Sequence, residues 1–354
     1  MKYSSFCAAN SGEGFISFFD TILDEKKHKV YYIKGGPGSG KSTLLKEISA
    51  KAENAELIYC SGDPASLDGV ILPDQNAVII DATSPHSHEP QYPAVGGNMI
   101  DLGEGWTPAK MDQQAIIELS DQKKEIYKSC YSLLKSAASI HTGVFFPINK
   151  YFSISKAQAL IDKILRQNAL WEKREQPAQV QYRFLSGISP EGRITLTDSF
   201  EKLGKNAVIL DDRWMISNFF LQLLDAKLTE NGIAHINSYH PLLGKSILHH
   251  MIIPDANLSI VTKDGIFQSD VADESIIKRI SIQSMVDKSF IEENKNKLAF
   301  IKRLEREILN LACSKLEDAR NIHMRIEQEY AKGTDFNATA ALKQNLINNL
   351  FSET

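Results

Sequence analysis

The 354-residue sequence has little of several features that mark particular classes of protein. Its four cysteines are scattered and form no CxxC pair, which argues against a disulfide framework or a zinc ribbon and favours reduced, buried thiols. No run of about 18 apolar residues occurs, and residues 1–14 contain no basic stretch followed by an apolar core. A cytoplasmic location without membrane contact is therefore expected.

An excess of charge of one sign is also missing. The formal net charge is only −4, and no long run of lysine or arginine provides an electrostatic surface for nucleic acid. We therefore expect no nucleic-acid partner. The content of 43% hydrophobic and 24% charged residues is typical of a globular protein, and the length exceeds what one hydrophobic core usually supports, so two domains are expected.

A glycine-rich segment is the most informative motif that is present. Residues 29–33 have the β-branched and aromatic character of a buried strand, residues 34–43 read KGGPGSGKST, and residues 44–48 open a helix. This is G-x-x-x-x-G-K-[ST] in the strand–loop–helix context that a phosphate-binding loop requires. The predicted nucleotide-binding residues are Gly35, Gly36, Pro37, Gly38, Ser39, Gly40, Lys41, Ser42 and Thr43.

Each part of this loop has a chemical reason. Glycines let the backbone N–H groups surround phosphates, Lys41 would reach the β- and γ-phosphates, and the Ser42 hydroxyl would bind Mg²⁺. The apolar run 76–80 ends in Asp81, which is predicted to lie on the Mg²⁺ side with Ser42, although a turn or helix-capping role is the alternative. The predicted cofactors are ATP and Mg²⁺, because no Asn-Lys-x-Asp motif favours guanine.

Hydrolysis is less clearly indicated than binding. Ala82 follows Asp81, where many ATPases have a glutamate that polarises water. His86 and Glu89 in the next loop could orient water or act as a general base, and we predict them as catalytic residues together with Lys41 and Asp81. Two alternatives for this loop remain open, a transition-metal site that includes His88 and a solvated polar loop.

Other polar residues could contribute to the site. Asp63 and Asp68 lie in the segment 60–69, which could contact a phosphoryl acceptor or magnesium, or could be an ordinary turn. Glu104 is a further candidate for positioning water. Arg183 and Arg213 are candidates for a positive group that stabilises transferred phosphate, with a surface salt bridge as the alternative.

The second half of the chain repeats the first at an offset of about 180 residues. Residues 6–14 align with 184–192, 71–74 with 252–255, and Ile140-His141 with Ile322-His323. The phosphate loop does not recur, because residues 211–218 contain no glycine or lysine and begin with two aspartates that would repel phosphate. Thr262 takes the place of Asp81. The second unit is therefore expected to keep the fold without binding nucleotide.

These observations predict an α/β fold with tandem P-loop NTPase-like units, parallel sheets, and a helical hairpin extension after each sheet. Residues 1–180 would form the nucleotide-binding unit, with its helical extension at about 109–175. Residues 181–354 would form the degenerate repeat, with its extension at about 274–354. Residues 143–147 and 333–335 are expected to separate the helices.

The whole chain resembles a bacterial family of tandem-repeat P-loop ATP-binding proteins, ATPases of unknown function. The resemblance is carried by residues 34–43, 61–71, 81–89, 101–104 and 183–185. It implies ATP binding and a cytosolic location but no particular substrate. Typical members carry a phosphate loop and a Pro-His loop in both units, and this chain departs from that pattern by lacking both in the second.

Three functions are compatible with the sequence. The leading prediction is a Mg²⁺-dependent ATPase whose intact first unit is paired with a degenerate second unit. A small-molecule or nucleotide kinase is the second, suggested by the segment with Asp63 and Asp68. A nucleotide sensor without turnover is the third, suggested by Ala82. The expected partners are a nucleoside triphosphate and an unidentified small-molecule or protein substrate.

Overall fold

The computed structural model describes residues 1–85, 87–212, 216–267 and 269–352, and it has an α/β architecture. Its strands and helices, in chain order, are β1 (Lys2–Ser5), β2 (Ala8–Ser11), β3 (Gly14–Ser17), β4 (Lys29–Lys34), α1 (Lys41–Lys51), β5 (Ala55–Tyr59), β6 (Leu67–Leu72), β7 (Ala77–Asp81), β8 (Gly97–Asp101), α2 (Gln113–Asn149), α3 (Ile154–Gln167), β9 (Val180–Arg183), β10 (Ser186–Ser189), β11 (Gly192–Thr195), α4 (Asp198–Leu203), β12 (Asn206–Asp211), α5 (Ser217–Glu230), β13 (His235–His240), β14 (Gly244–Ile253), β15 (Leu258–Lys263), β16 (Ile276–Ser281), α6 (Lys288–Ala331) and α7 (Ala340–Phe351). The predicted α/β class is confirmed.

Two six-stranded sheets form among the described residues, and they share one strand order. The first runs β1-β5-β6-β7-β4-β8. The second runs β9-β13-β14-β15-β12-β16 when read from the corresponding edge. Each strand of the second sheet follows its counterpart of the first by about 180 residues, the offset of the sequence repeat.

The sheets are mixed, so the prediction of parallel sheets is confirmed only in part. β4 pairs in parallel with β7 and β8, whereas β6 runs antiparallel to both β5 and β7. The second sheet has the same pattern, with β14 antiparallel to β13 and β15. The cause is the short connection before β6, because a neighbouring strand reached through a short loop pairs antiparallel.

The helical extensions are present, with different limits from those predicted. α2 continues through residues 143–147 and ends at Asn149, so the expected break comes later. Residues 276–281 form the edge strand β16, which pairs with β12, rather than the start of the second extension. The break at residues 333–335 is confirmed, since α6 ends at Ala331 and α7 begins at Ala340.

The chain divides into two compact units that do not follow the predicted boundary at residue 180. Unit 1 comprises residues 1–4, 17–130 and 314–354, and unit 2 comprises residues 5–16 and 131–313. The last part of α6 and all of α7 therefore belong to the first sheet's unit, and the last part of α2 and all of α3 belong to the second's. Helical periodicity shows that a helix has an apolar face, but it does not show which sheet covers that face.

Each unit has its own hydrophobic core. In unit 1, Leu346, Ile347 and Leu350 of α7 pack with Leu44 and Ile48 of α1. In unit 2, α3 and α5 pack together in the same way. No helix within the described residues is both long enough and apolar enough to cross a membrane.

Candidate phosphate-binding site

The glycine-rich segment forms the connection between β4 and α1, and α1 begins at Lys41. Gly38 and Gly40 have φ angles of 72° and 88°, a left-handed conformation that a Cβ atom disfavours. A Cβ at Gly38 would also lie 3.2 Å from the carbonyl oxygen of Glu327. The loop leads into a helix N-terminus, where unsatisfied N–H groups and the helix dipole favour a bound anion.

Lys41 and Asp81 lie side by side at this loop. The Lys41 ammonium donates hydrogen bonds to the carbonyl oxygens of Gly35, at 2.6 Å, and Gly36, at 2.9 Å, and lies 3.7 Å from Asp81 Oδ2. β7 is parallel to β4 and places Asp81 opposite Ile33, immediately before the loop. Burial raises the pKa of Asp81, although Lys41 and Thr83 oppose the shift. Two residues predicted to act together are thus brought together.

Ser42 is also held by the fold. Its hydroxyl oxygen accepts a hydrogen bond from the Leu67 amide at 3.1 Å. A serine hydroxyl has a second lone pair, so this contact is compatible with a Mg²⁺ ligand role. Ser39 is buried, and within the described part of the chain its hydroxyl has no hydrogen-bond partner. Thr43 is exposed in the first turn of α1.

The loop after β7 carried the predicted general-base candidates. His86 lies outside the described residues. Glu89 accepts a hydrogen bond from the Lys34 ammonium at 2.7 Å, and its side chain is 68% exposed. Lys34 also donates to the carbonyl oxygens of Ala82 and His88, so it ties this loop to the end of β4. The water-orienting roles of Glu89 and His86 stay predictions.

The two aspartates before β7 have different environments. The Asp63 carboxylate accepts hydrogen bonds from the Ser66 hydroxyl, at 2.5 Å, and the Ala65 amide, at 3.4 Å, as expected for the turn alternative. Asp68 is buried in β6, where the sequence suggested a loop. Burial raises the pKa of the neighbouring Cys60 thiol well above its usual value, and the Asp68 charge adds to the shift.

The end of the chain contributes residues that the sequence did not indicate. The Glu327 carboxylate, on α6, accepts a hydrogen bond from the Gly38 amide, and burial raises its pKa. The Trp106 and Tyr330 rings lie 5.2 Å apart, and Trp106 would be 3.0 Å from a Cβ at Gly36. These residues pack directly on the phosphate loop. Glu327 and Tyr330 were missed because the end of α6 was assigned to the other unit.

Two further lysines lie near the loop. The Lys343 ammonium would be 2.9 Å from a Cβ at Gly40. The Lys123 ammonium, on α2, lies 2.9 Å from Nδ1 of His323, and burial lowers the Lys123 pKa. Burial, together with the charges of Lys123 and Lys41, lowers the pKa of His323 to about 4. This concentration of positive charge suits a phosphate ligand.

The other candidate residues have structural contacts. Asp101 accepts a hydrogen bond from the Gly103 amide at 2.7 Å and caps a short 3₁₀ turn. Glu104 is exposed in that turn. Arg183 is buried in unit 2 and donates to the carbonyl oxygen of Tyr182. Arg213 lies outside the described residues.

In unit 2, the connection between β12 and α5 corresponds to the glycine-rich loop and has different chemistry. Asp212 is buried, and its carboxylate accepts a hydrogen bond from the Ser217 amide at 2.6 Å, at the start of α5. A carboxylate therefore occupies the helix N-terminus where a phosphate would bind. Asn218 accepts a hydrogen bond from the Leu248 amide, the same contact that Ser42 makes with Leu67.

A separate cavity of 560 Å³ lies in unit 1 between β8, α7 and residues 89–94. Its described lining includes Tyr31 and Met99 but no residue of the phosphate loop. It is mainly apolar, and Glu89, which accepts a hydrogen bond from Lys34, is among its lining residues.

Comparisons with protein-family models, with curated proteins and with solved structures found no match to this chain. The family resemblance therefore stays a prediction. The function must be inferred from the residues and distances given above.

Proposed function

We propose that the chain binds Mg–ATP at the glycine-rich loop of unit 1 and hydrolyses it. The observation that carries this proposal is the juxtaposition of the Lys41 ammonium, at the start of α1, and the Asp81 carboxylate, at the end of β7, 3.7 Å apart. A lysine for the phosphates and a carboxylate for Mg²⁺ are the two charged groups that phosphoryl transfer requires at such a loop. Ser42 would complete the Mg²⁺ side.

The two units are then related P-loop folds, of which only the first binds nucleotide. Their identical strand order and the sequence repeat support this relationship. The second unit has the buried carboxylate of Asp212 at the start of its helix, in place of a lysine and glycines. That carboxylate would repel phosphate, so one nucleotide per chain is proposed.

ATP hydrolysis is favoured over phosphoryl transfer to a second substrate. The kinase alternative depended on Asp63 and Asp68, but Asp63 stabilises its own turn and Asp68 is buried in β6. The sensor alternative draws support from Glu327, whose carboxylate already occupies the Gly38 amide and would compete with phosphate. ATPase and sensor differ in one measurable property, release of phosphate.

The test is phosphate release from Mg–ATP by the purified chain without any added substrate. The Lys41→Ala variant is the blank, and we expect its release to fall to background because the β- and γ-phosphates lose their cation. Lys46→Ala, on the same helix, is the matched control and should be as active as the unmodified protein.

Release that persists in Lys41→Ala would refute the proposal. Absence of release from the unmodified protein, with ATP bound intact, would support the sensor instead. A phosphate transfer that appears only when a hydroxyl-bearing acceptor is added would support the kinase.

A further inference from the structure

Unit 2 contains a buried cluster of histidine and carboxylate side chains at one edge of its sheet. His240 is the last residue of β13, His249 lies in β14, and Asp264 directly follows β15. All three are at most 1% exposed, and one potential ligand atom of each lies within 4.8 Å of the others. Three side chains from three strands converge on one point.

The distances suit a small cation. Oδ2 of Asp264 lies 3.2 Å from Nε2 of His249 and 3.4 Å from Nε2 of His240. Ligand atoms of a tetrahedral site with bonds of about 2.0–2.2 Å lie about 3.3 Å apart. The other carboxylate oxygen accepts hydrogen bonds from the Ile266 and Phe267 amides at 2.7 and 2.9 Å. These backbone bonds turn Oδ2 toward the two histidines, as outer-shell contacts do at metal sites.

The hydrogen bonds of the cluster are incomplete as they stand. Nε2 of His240 and Nδ1 of His249 are buried and have no hydrogen-bond partner among the described atoms. A buried polar atom without a partner costs about 1–3 kcal/mol. The adjacent His250 is different, because it bonds the Ser186 hydroxyl at 3.0 Å and the Thr262 amide at 3.1 Å. A cation would neutralise the Asp264 charge, and it would bind Nε2 of His240 in place of the proton that this nitrogen carries while Nδ1 accepts from the Leu243 amide at 3.3 Å.

A second pair of side chains borders the cluster. The His141 ring lies parallel to that of His240, with 6.4 Å between ring centroids. Nδ1 of His141 is 3.0 Å from the buried carboxylate of Glu305. A carboxylate that binds one ring nitrogen fixes the ring and raises the basicity of the other nitrogen, which is the usual arrangement for a metal-binding histidine.

The position of the cluster within the fold points to a ligand site. In the repeat, His240 aligns with Cys60, His249 with Asp68 and Asp264 with Thr83, which bonds Asp81 beside the phosphate loop. The cluster therefore occupies the edge of its sheet that corresponds to the nucleotide side of unit 1. Ligands collect at this edge in α/β sheets.

The charged residue beside the corresponding histidine has opposite sign in the two units. Lys123 contacts His323 in unit 1, and Glu305 contacts His141 in unit 2, at the offset that relates Ile140-His141 to Ile322-His323. An ammonium group near the phosphate loop is thus replaced by a carboxylate near the histidines. The first set suits an anion, and the second suits a cation.

We propose that unit 2 binds a divalent transition-metal ion of the zinc class through His240, His249 and Asp264, with His141 beside the site. Imidazole nitrogen and carboxylate oxygen are ligands that Zn²⁺ and Co²⁺ accept in tetrahedral sites. Metal binding at this site does not depend on nucleotide binding, because the residues belong to unit 2, which has no glycine-rich loop.

The test uses the full-length chain, free of any histidine tag and of nucleotide, titrated with Co²⁺ after treatment with a chelator. We expect about one equivalent of Co²⁺ to bind with the visible absorption of a tetrahedral site, and Zn²⁺ to displace it. Asp264→Asn keeps the shape of the side chain and should abolish this spectrum.

Two controls keep the result specific. His235→Asn alters a buried histidine of β13 that bonds Asp225 rather than the cluster, and it should leave the Co²⁺ spectrum unchanged. Lys41→Ala should also keep Co²⁺ binding, which separates this site from the nucleotide site. The proposal fails if the folded, unmodified chain gives no tetrahedral Co²⁺ spectrum, or if Asp264→Asn binds Co²⁺ as tightly. If Asp264→Asn does not fold, His249→Asn replaces it, with circular dichroism as the check that the variant is folded. A folded His249→Asn that binds Co²⁺ as tightly as the unmodified chain would also refute the proposal.

Discussion

Among single residues, Glu327 has the most direct consequence for ligand binding. Its carboxylate accepts a hydrogen bond from the Gly38 amide, a donor that the loop motif assigns to phosphate. An incoming nucleotide must displace this carboxylate or place its own negative charge beside it. If the loop binds nucleotide as proposed, Glu327 is expected to weaken that binding.

Glu327→Gln should consequently tighten Mg–ATP binding. We expect about a tenfold lower dissociation constant, which corresponds to about 1.4 kcal/mol, the size of a charge-assisted contact. Titration with a fluorescent ATP analogue measures the change. Glu329→Gln on the same helix is the control, since Glu329 pairs with Lys332. Weaker binding by Glu327→Gln would instead mean that Glu327 supports the loop in its binding form.

His323 gives the site a dependence on pH. Its pKa is lowered from 6.5 to about 4 by burial and by the nearby lysines. At pH values between these two pKa values, His323 is protonated in more of the unfolded chains than of the folded chains. The free energy of unfolding therefore falls as the pH is lowered from about 6.5 to about 4. Protonation of His323 would place a further charge beside Lys123.

His323→Asn should therefore reduce the loss of stability in acid. The measurement is urea-induced unfolding at pH 7 and pH 5 for both proteins, and the difference between the two pH values should be smaller in the variant. His28→Asn, which alters an exposed histidine bonded to Asn76, should not change that difference. An equal pH dependence in His323→Asn and in the unmodified chain would contradict this role.

Among the elements, α7 shows that the repeat and the compact units are different divisions of the chain. Leu346 of α7 is 2% exposed and packs in the same core as Leu44 of α1 and Ile33 of β4. α1, which follows the glycine-rich loop, is thus supported by α7. α3 supports α5 of unit 2 in the corresponding way.

Leu346→Ala should destabilise unit 1, although the sequence repeat places Leu346 in the other half. We expect a loss of about 2–4 kcal/mol in the free energy of unfolding, the usual range for a buried leucine. Leu311→Ala removes the same atoms from a side chain that is 58% exposed, and it should change the stability by less than about 0.5 kcal/mol. Urea-induced unfolding compares the two, and equal losses would refute this packing.

The elements that could be predicted from sequence are those with strong local signals. β4, α1, β5 and β7 follow from apolar runs and from the loop motif, and their pairing brings Asp81 to Lys41 as expected. β6 was not predicted, because Asp68 and Gly69 have the composition of a turn and only the pairing with β5 and β7 makes them a strand. β16 was hidden in a similar way within a segment interpreted as helical.

Some residues of the candidate site could not be predicted from the sequence, for a different reason. Glu327 and Lys343 lie more than 280 residues after the loop, in segments whose pattern shows only an amphipathic helix. No local spacing connects them to Gly38 or Gly40. The histidine cluster of unit 2 was missed for the same reason, since His141, His240 and Asp264 converge only when the strands pair.

For the whole molecule, the division into compact units predicts that the halves of the sequence are not independent. Unit 1 needs residues 314–354, and unit 2 needs residues 131–180, so a cut at residue 180 removes part of each core. A fragment of residues 1–180 should therefore bind Mg–ATP far more weakly than the full chain.

Coexpression offers the matching control for this prediction. A second fragment of residues 181–354, produced in the same cells, should restore nucleotide binding by supplying α6 and α7. Circular dichroism and ATP-analogue titration measure folding and binding of the single and paired fragments. Full binding by residues 1–180 alone would contradict the division of the chain described here.

The proposed function requires that one Mg–ATP binds to the chain, at the glycine-rich loop of unit 1. Isothermal titration calorimetry of the full chain with Mg–ATP measures this stoichiometry, with Lys41→Ala as the second sample. We expect a stoichiometry of about one for the unmodified protein and no measurable binding by Lys41→Ala. Equal binding by both proteins, or two nucleotides per chain, would contradict it.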